Sequence, residues 1–451
     1  MRVGHAVGVR RAVLWFRRDL RLTDHPALTA ALAAADEVVP LFILDAGLER
    51  PAGHPRMAFL LGCLHELRAS TGGALVVRHG DARREVPALV RELGAEAVFV
   101  TGETTPFGRR RDAAVGGRAR LEAVGSPYAV DPEALRTATG GAFKVFTPFL
   151  RAWSAHGWDR PEPAPVAPSW ATGIRSDDLP AVPSLPTSLP PAGEAAAADR
   201  LATFLDRLDG YAAQRDRPDR DATSRLSPYL RFGCLHPRQV LDDLGAGVDA
   251  DKLRSEIAWR EFYAALLAHR PDTAWRDVRP ELAAMAVDRG PGSDERFLAW
   301  VEGRTGYPFV DAGMRQLAGE GWMHNRVRMV TASFLVKDLH LDWQRGARLF
   351  LDRLVDGDLA SNNHGWQWVA GTGTDAAPFF RIFNPTLQGR RFDPDGDYIR
   401  RWIPELRAVA GPAVHEPWKL PGGPPAGYPM PIVDHAAERS EALARYAAAR
   451  S

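Results

Sequence analysis

The feature that most constrains the fold is a change of pattern near the middle of the chain. Between residues 12 and 131, short apolar runs alternate with segments whose apolar residues recur at helical spacing. From about residue 199 onward the helical spacing continues, and hardly a convincing strand pattern is found. Strand and helix patterns that alternate in this way build a parallel sheet with helices on both faces. The sequence therefore predicts an α/β domain followed by an all-α domain.

The first part of the chain is predicted to form a doubly wound parallel sheet. Five short apolar runs are predicted as buried strands, at residues 12–16, 38–44, 74–78, 97–100 and 128–130. Four amphipathic segments are predicted as crossover helices, at residues 26–35, 55–70, 81–94 and 109–124. The turn after the first strand, RRDLRLTDHP, contains neither G-x-G-x-x-G nor G-x-x-x-x-G-K. This excludes the usual dinucleotide and P-loop sites.

A connector separates the two parts. Residues 161–198 are dense in Pro, Ala and Ser, a composition typical of a long linker on the surface, with disorder as the alternative. We divide the chain into an α/β domain at 1–132, a connector at 133–198 and a helical domain at 199–451. Helices of the last part are predicted at residues 199–213, 251–267, 296–301, 307–318, 325–337, 343–354 and 360–369.

Composition excludes several classes of protein. The formal net charge of +1 provides no global attraction to nucleic acid or membrane, so any DNA contact requires a local patch. Cys63 and Cys234 are the two cysteines, too few and too far apart in sequence to suggest a disulfide scaffold or a zinc site. No run of about eighteen apolar residues is present. We expect a reduced, cytoplasmic compartment.

The most unusual stretch is DGDLASNNHGWQW, at residues 356–368. It combines carboxylates, adjacent amides and tryptophans, and His364 is its one candidate metal ligand. This composition suits a flat, redox-active ring better than a metal, although a capped helix with core tryptophans is the alternative for each residue taken singly. The groups suited to the polar edge of such a ring are Asp356, Asp358 and Asn362. Those suited to its faces are Trp366 and Trp368.

Three further segments supply complementary groups. TSRLS, at residues 223–227, offers hydroxyls and Arg225 ahead of a helix, as a phosphate requires, although a plain N-cap is the alternative. Helical spacing places two other sets on shared faces: Glu256, Trp259, Arg260 and Tyr263, and Asn325, Arg328 and Met329. A pocket lined by both sets suits a planar heterocycle with carbonyl and imide groups. Amphipathic core helices are the alternative.

Ten motifs together resemble the DNA photolyase and cryptochrome family, and most closely its class I cyclobutane pyrimidine dimer photolyases. They occur in one order between about residues 12 and 435. The resemblance implies an α/β antenna domain, a connector and a helical FAD domain. The motifs are WFRRDLRLTDHPAL, KVFTPF, TSRLSPYLRFG, WREFY, TGYPFVDAGMRQL, GWMHNRVRM, SFLVKDL, DGDLASNN, WQW and RIFNPTLQG.

The resemblance also assigns cofactor contacts. It implies that Asp356 pairs with Arg328 and that Asn362 lies at the flavin N5 edge. An amide at N5 favours the fully reduced, anionic flavin, because it does not repel a negative ring. The residues implied to hold the diphosphate and ribityl chain are Tyr211, Thr223, Ser224, Arg225, Leu226 and Ser227. Those implied to surround the rings are Arg260, Asn325, Arg328, Asp356, Asp358 and Asn362.

The implied activity is light-dependent DNA repair. Excited FADH⁻ passes an electron to a pyrimidine dimer flipped out of the duplex, the cyclobutane ring splits, and the electron returns. Glu256 is expected to hydrogen-bond the dimer, while Trp259 and Trp368 stack against it. The implied walls of the dimer pocket are Glu256, Trp259, Asn325, Met329 and Trp368. Residues expected to contact DNA phosphates, with a solvated charged face as the alternative, are Arg231, Arg326 and Arg381.

Two rival functions remain at this point. A flavin photoreceptor without repair is disfavoured by the dimer-pocket residues and by the expectation that no signalling tail follows the family region. A (6-4) photolyase is disfavoured because Met329 differs from the residue usual there and because His324 does not supply the expected histidine pair. Preference for single-stranded DNA stays open. We expect UV-damaged DNA as the partner, no membrane, no obligate protein partner and a monomer.

The sequence departs from the family in its tryptophan relay. Trp366 matches the proximal member and Trp343 the middle one, but the position of the distal one falls at Gly290. No tryptophan lies between Trp275 and Trp300. Our hypothesis is that the final hop is missing or rerouted, which makes photoreduction inefficient or short-lived while repair persists. Leu253, where relatives often have an aromatic residue, is a second departure with a modest expected effect on FAD affinity.

An antenna pigment is also implied. The segment at residues 103–112 is more similar to relatives that bind 8-hydroxydeazaflavin than to those that bind methenyltetrahydrofolate. Arg17, Asp19 and Arg50 are expected to line its cleft. A flavin nucleotide or an empty site is the alternative.

Overall fold

A computed structural model describes residues 9–49, 52–374 and 380–450, and within them a five-stranded parallel sheet forms the N-terminal domain. The strand order β3-β2-β1-β4-β5 places the switch point between β1 and β4. This confirms the doubly wound sheet. The strands are β1 Arg11–Phe16, β2 Glu37–Leu44, β3 Val76–His79, β4 Ala97–Val100 and β5 Leu121–Ala123. The helices are α1 Pro26–Ala34, α2 Ala46–Glu49, α3 His54–Ser70, α4 Ala82–Leu93 and α5 Pro106–Gly116.

The last strand was predicted at the wrong place. Residues 128–130 are not a strand, and α5 ends at Gly116 before the short edge strand β5. Consecutive glycines disfavour helix there, and an edge strand needs no apolar run. Tyr128 and Val130 are apolar for another reason: they are buried between the domains, where Glu261 accepts hydrogen bonds from the N–H groups of Ala129 and Val130.

The connector covers an edge of the sheet. Val38 exchanges backbone hydrogen bonds of 2.9 Å with Ser169 and Ala171. At the outer strand β3, the N–H of Val77 donates to Ser176 Oγ at 2.9 Å, and its carbonyl accepts from Asp177 at 2.8 Å. An open strand edge is prone to pair with other chains, so this segment closes it. The connector region also contains one helix, α6 Phe146–His156.

The rest of the described chain is helical. The predicted helix at 199–213 is interrupted between Leu205 and Tyr211, where Gly210 adopts a left-handed conformation with φ 81°. The predicted helix at 325–337 changes to a π-turn at Phe334–Asp338. The other five predicted helices are confirmed, four of them within three residues at each end. The one predicted at 296–301 begins five residues earlier, at Pro291. The helices are α7 Glu194–Leu205, α8 Tyr211–Gln214, α9 Ser227–Phe232, α10 Pro237–Asp242, α11 Val248–His269, α12 Pro291–Val301, α13 Pro308–Glu320, α14 Asn325–Ser333, α15 Trp343–Arg353, α16 Leu359–Ala370, α17 Pro385–Phe392, α18 Asp397–Trp402 and α19 His435–Ala448.

The two domains share one hydrophobic core. Phe59 of α3 packs against Tyr229 and Phe232 of α9, with ring centroids 5.8 and 5.2 Å apart. Cys63 and Cys234 also meet at this boundary: both are buried free thiols, and their Sγ atoms are 3.4 Å apart. Their distance in sequence was therefore misleading about their distance in space. Helices α12 to α16 enclose a second core. None of the described helices combines the length and apolar character needed to cross a membrane.

Candidate cofactor and substrate site

A cavity of about 520 Å³ lies in the helical domain, within the size range of cofactor pockets. Helices α8, α9, α11, α14 and α16 contribute to its walls. It brings together nearly all residues singled out in the sequence; Trp343 and Arg381 are not on its walls. The sequence-predicted residues that line it are Tyr211, Thr223, Ser224, Arg225, Leu226, Ser227, Arg231, Leu253, Glu256, Trp259, Arg260, Tyr263, Asn325, Arg326, Arg328, Met329, Asp356, Asp358, Asn362, Trp366 and Trp368.

Asp356 has the least exposed side chain of the carboxylates that line the cavity, at 3%. Its Oδ2 accepts hydrogen bonds from the Ser227 hydroxyl at 2.6 Å and from Arg328 at 2.8 Å, which confirms the predicted ion pair. Oδ1 is buried without a hydrogen-bond partner among the described residues. Because buried polar atoms are nearly always hydrogen-bonded, this oxygen is available to a donor on a bound molecule.

Asp358 lies two residues after Asp356 and has a different set of contacts. Its Oδ1 accepts from the N–H of Ser361 at 3.0 Å, which caps α16, and Oδ2 accepts from Arg18 at 2.8 Å. Burial opposes ionisation of this carboxyl group, but the guanidinium groups of Arg18, Arg231 and Arg260 outweigh it and hold its pKa well below the usual range. Asp358 is therefore a fixed negative charge.

Asn362 presents one atom to a ligand. Its Nδ2 donates to the Ala347 carbonyl at 3.0 Å and to Asn363 Oδ1 at 2.8 Å. Both amide hydrogens are used in this way, so the carbonyl oxygen Oδ1 is the polar atom left for the cavity. An acceptor at this place suits an N–H group on the ring of a ligand.

The loop before α9 is strained at Arg225. This residue adopts φ 52°, a conformation uncommon outside glycine, and its guanidinium lies 4.4 Å from the centroid of the Trp322 ring. Strain of this kind persists where the surroundings impose it and is frequent at ligand sites. Arg200 was missed by sequence reasoning: it donates to the carbonyls of Thr223 and Ser224 at 3.0 and 2.7 Å and so holds the loop.

Glu256 on α11 is ion-paired within the cavity. Its carboxylate lies 2.8 Å from Arg215 and 3.3 Å from Lys252. The role of Arg215 was also missed in the sequence, because nothing in the residues around it indicates that it pairs with Glu256 of α11. Trp259 stacks on Phe146 at 3.7 Å with an interplanar angle of 7°, so one of its faces is already covered. Only its other face and its edge are available to a substrate.

The three arginines predicted to contact DNA occupy different surroundings. Arg231 donates to the Gly357 carbonyl at 2.9 Å and lies beside Asp358, at the inner end of the cavity. Its position favours a contact with the cofactor over one with DNA. Arg326 lines the cavity and pairs with Asp216 at 2.8 Å. Arg381 is exposed, with its guanidinium 5.4 Å from the centroid of the Trp368 ring.

The predicted tryptophan relay begins on α16. Trp366 is buried and packs edge-on against Phe350 and Trp300, at 5.0 and 6.1 Å between centroids. Trp343 is buried and donates its indole N–H to Asp277 at 3.0 Å. Gly290, at the position of the distal member, is an exposed N-cap of α12.

Two expected antenna residues do not face an open cleft. Asp19 is buried and accepts hydrogen bonds from Thr101 Oγ1 at 2.5 Å and from the N–H of Arg17 at 2.6 Å. The Arg17 side chain is 7% exposed and donates to both oxygens of Asp112, at 2.5 and 2.7 Å. These two residues hold the ends of β1 and β4 together instead. Arg50 lies outside the described residues.

His364 belongs to the core of α16. Its ring nitrogens contact Thr273 Oγ1 at 2.9 Å and the Ala360 carbonyl at 2.8 Å. Burial lowers its pKa to about 4, so the ring is neutral at physiological pH. Across the residues that the structure describes, no three His, Cys, Asp or Glu side chains are grouped to hold a metal ion.

Comparison with known proteins places these features in a family. Residues 253–448 match the model of the FAD binding domain of DNA photolyase, and residues 12–169 match that of DNA photolyase. A deoxyribodipyrimidine photo-lyase of Streptomyces griseus is 44% identical, covering 97% of this chain and 99% of its own length. The enzyme of that name from Escherichia coli is 40% identical, with coverages of 97% and 98%.

Solved structures of photolyases have the same fold as this chain. A bacterial class III photolyase from Agrobacterium tumefaciens superposes with a TM-score of 0.91 at 38% identity over the whole of both chains. An archaeal photolyase from Sulfolobus tokodaii, solved with two FAD molecules, has a TM-score of 0.83 at 30% identity, covering 97% of this chain and 100% of its own. The class I subtype stays a prediction. The motifs, the fold and the relatives lead to one conclusion: this chain belongs to the DNA photolyase and cryptochrome family, with an α/β domain joined to a helical FAD-binding domain.

Proposed function

We propose that this chain repairs cyclobutane pyrimidine dimers in DNA by light-driven electron transfer from reduced FAD. One observation carries the proposal: a single cavity is lined both by the residues expected to hold FAD and by those expected to hold the dimer. The names of the curated relatives, deoxyribodipyrimidine photo-lyases, support it.

The inner part of the cavity fits the ring of FAD. The unpartnered Asp356 Oδ1 and the remaining Asn362 Oδ1 are two acceptors for ring N–H groups. The arginines around Asp358 leave excess positive charge there, which suits an anionic ring. When bound, reduced FAD supplies the excited electron. The protein holds the ring, orients it toward the substrate and surrounds it with fixed charges, which avoids reorganisation during the reaction.

The outer part of the cavity fits a flipped-out dimer of two adjacent pyrimidines. Glu256 is fixed by Arg215 and Lys252, so its carboxylate is oriented before substrate arrives. It is an acceptor for the N–H group beside the carbonyl edge of a pyrimidine. Trp259 and Trp368 provide aromatic surface, and Met329 provides a polarisable apolar contact. These side chains keep water from the reacting bases.

DNA contact is proposed to come from cations near the cavity. Exposed Arg381 and cavity-lining Arg326 are the stronger candidates of the three predicted arginines. Each phosphate neutralised releases counterions, so affinity for damaged DNA falls as salt rises. We include in the proposal a monomer acting in the cytoplasm. The free thiols of Cys63 and Cys234 suit the reducing conditions of that compartment.

An antenna pigment in the N-terminal domain is part of the proposal. We retain 8-hydroxydeazaflavin over methenyltetrahydrofolate because of the similarity of residues 103–112 to relatives that bind it. Arg17 and Asp19 do not add support, because both side chains are bonded within the protein. Absorption and fluorescence of the pigment released from purified protein distinguish the two. A flavin nucleotide released in excess of one FAD per chain would contradict both.

The proposed relay of electrons to oxidised flavin passes through Trp366 and Trp343 and ends there. Exposed Gly290 provides no redox-active group beyond Trp343. Photoreduction is then short-lived, while repair by FAD that is already reduced is unaffected. Long-lived photoreduction of the oxidised protein would contradict this part of the proposal, provided that it persists when Trp275 and Trp300 are replaced.

The test of function is repair of a defined lesion. Dithionite-reduced protein is illuminated with near-UV and blue light in the presence of a thymine-dimer oligonucleotide, single-stranded or duplex, with dark samples and a (6-4) lesion as controls. We expect light-dependent recovery of thymine absorbance with the cyclobutane lesion alone. No recovery with FAD bound and reduced would favour a photoreceptor, and recovery with the (6-4) lesion alone would favour the other class of repair.

A further inference from the structure

We propose that Arg18 of the N-terminal domain, assisted by Arg56, is a positioning residue for the FAD site. These two arginines hold the turn at residues 356–358, and Arg18 acts on the cofactor through Asp358. The inference rests on the proposed function only in that the cavity binds FAD.

The geometry places both arginines on the same short turn. Arg18 follows β1 and donates to Asp358 Oδ2 at 2.8 Å, with both side chains less than one-fifth exposed. Arg56 of α3 donates to the Gly357 carbonyl at 3.2 Å, where Arg231 also donates at 2.9 Å. Two consecutive residues of the turn are thus each bound by a guanidinium group from the other domain.

Asp358 transmits this contact to the cavity. Its carboxylate lines the cavity, whereas Arg18 is not among the described residues on its walls. The same carboxylate caps α16 through the N–H of Ser361. This helix carries Asn362 and Trp366, so the orientation of Asp358 sets the start of the helix that presents both groups.

Arg18 also contributes charge. Arg231 and Arg260 act on Asp358 as well, so three cations surround one carboxylate at the inner end of the cavity. Tyr128 lies within the cluster: it interacts electrostatically with Arg18, and its ring centroid is 4.5 Å from the guanidinium of Arg260. Glu103 is the other acidic group that acts on Arg18. Loss of Arg18 removes one positive charge, which makes a negatively charged ring less favourable.

Domain docking alone would be a simpler role, and the chain offers a control for it. Arg238 bonds Asp24 of the N-terminal domain through both oxygens, at 2.5 and 3.2 Å, and it lies away from the turn. It is more buried than Arg18, so its loss tests docking at least as severely. A variant at Arg238 therefore separates stability of the interface from an effect on the cofactor.

The experiment compares Arg18→Gln, Arg18→Lys and Arg238→Gln in the full chain reconstituted with FAD. The readouts are the Kd of FAD, by fluorescence titration, and the midpoint potential of bound FAD, by spectroelectrochemistry. We expect Arg18→Gln to raise the Kd several-fold, because Asp358 and the start of α16 are held less firmly for the cofactor, and to make the potential more negative. Arg18→Lys keeps the charge and is expected to restore most of the potential.

Each outcome decides the inference. Arg238→Gln is expected to lower the melting temperature without moving the potential. An Arg18→Gln protein with the Kd and potential of the original chain, or with the same changes as Arg238→Gln, would overturn the proposal. If Arg18→Gln does not fold, Arg56→Gln replaces it, and a Kd equal to that of Arg238→Gln counts against the proposal. A wild-type chain that binds no FAD would instead overturn the proposed function.

Discussion

The carboxyl ends of the N-terminal strands and the helical cavity are both rich in arginine and aspartate, but they use these residues differently. At the strand ends, Arg17 and Asp112 bond each other, and Asp19 is bonded by Thr101 and by a backbone N–H. In the cavity, Asp356 bonds its neighbours through one oxygen and leaves the other buried without a partner among the described residues.

The difference teaches how a binding site is distinguished from a structural ion-pair cluster. Residue types are the same in both regions, and in both a carboxylate is held in its charged form: the pKa of Asp19 and that of Asp358 lie well below the usual range. The distinguishing feature is hydrogen-bonding capacity left over at the wall of a cavity, because a buried polar atom without a partner is costly unless a ligand satisfies it.

The largest expected effect tests this comparison directly. Asp356→Asn removes the charged acceptor of Arg328 and Ser227, and we expect the Kd of FAD to rise roughly 10- to 100-fold, since a hydrogen bond to a charged group contributes about 1.5–3 kcal/mol. Asp112→Asn, which breaks the ion pair of the strand ends, is the matched control and is expected to lower stability without changing the Kd. Equal effects on the Kd would remove the distinction between the two regions.

Glu256 lines the cavity but is already ion-paired with Arg215 and Lys252, as Asp112 is with Arg17 at the strand ends. Glu256→Ala is expected to keep FAD bound and to lower the repair yield several-fold, since the dimer loses one charge-assisted hydrogen bond. Lys252→Gln breaks one ion pair but keeps the carboxylate, so its repair yield should fall less. An unchanged yield in Glu256→Ala would assign Glu256 to structure, like Asp112.

The relay is expected to respond to a single added ring. Gly290→Trp places an indole at the exposed position beyond Trp343, where an added Cβ has no atom within 4 Å. We expect longer-lived photoreduction, measured by transient absorption, at a cost of about 1–3 kcal/mol because φ is 95°. Gly290→Leu carries the same backbone strain without a redox-active ring. If both variants behave alike, the relay does not end for lack of a tryptophan.

The last prediction concerns stability in acid and leaves the binding of FAD and of the dimer aside. Burial lowers the pKa of His364 to about 4, against about 6.5 in the unfolded chain. Below pH 6.5 the unfolded chain binds a proton that the folded chain does not, so the free energy of unfolding falls between about pH 6.5 and 4. The loss is at most about 1.4 kcal/mol per pH unit for one histidine.

His364→Gln removes this contribution, so its stability should depend less steeply on pH in urea titrations across that window. His156→Gln, at an exposed position of α6, is the control. If the free energy of unfolding of His364→Gln depends on pH as steeply as that of the original chain, acid acts through other groups. The buried histidines His236 and His324, whose pKa values burial also lowers to about 4, are the first of these.

The two-part fold, most of the helices and most of the residues that line the cavity were predicted from the sequence. Local pattern suffices for the two-part fold and the helices, because the period of apolar residues reflects which face is buried. Many residues of the cavity were assigned through the resemblance to a known family. The pair of Asp356 and Arg328 was also predicted correctly, through motifs that match a known family. The wrongly predicted strand at 128–130 shows that an apolar run can be buried without forming a strand. Tyr128 and Val130 are apolar because they fill the domain boundary.

Tertiary structure alone decided which polar groups meet. Arg18 lies 340 positions before Asp358, and Cys63 lies 171 before Cys234, yet each pair is in contact across the domain boundary. The same packing turned Arg17 and Asp19 inward, away from the role that their sequence position suggested. Side-chain partners depend on how sheet and helices pack against each other, and that arrangement is set by the whole hydrophobic core, which no local spacing records.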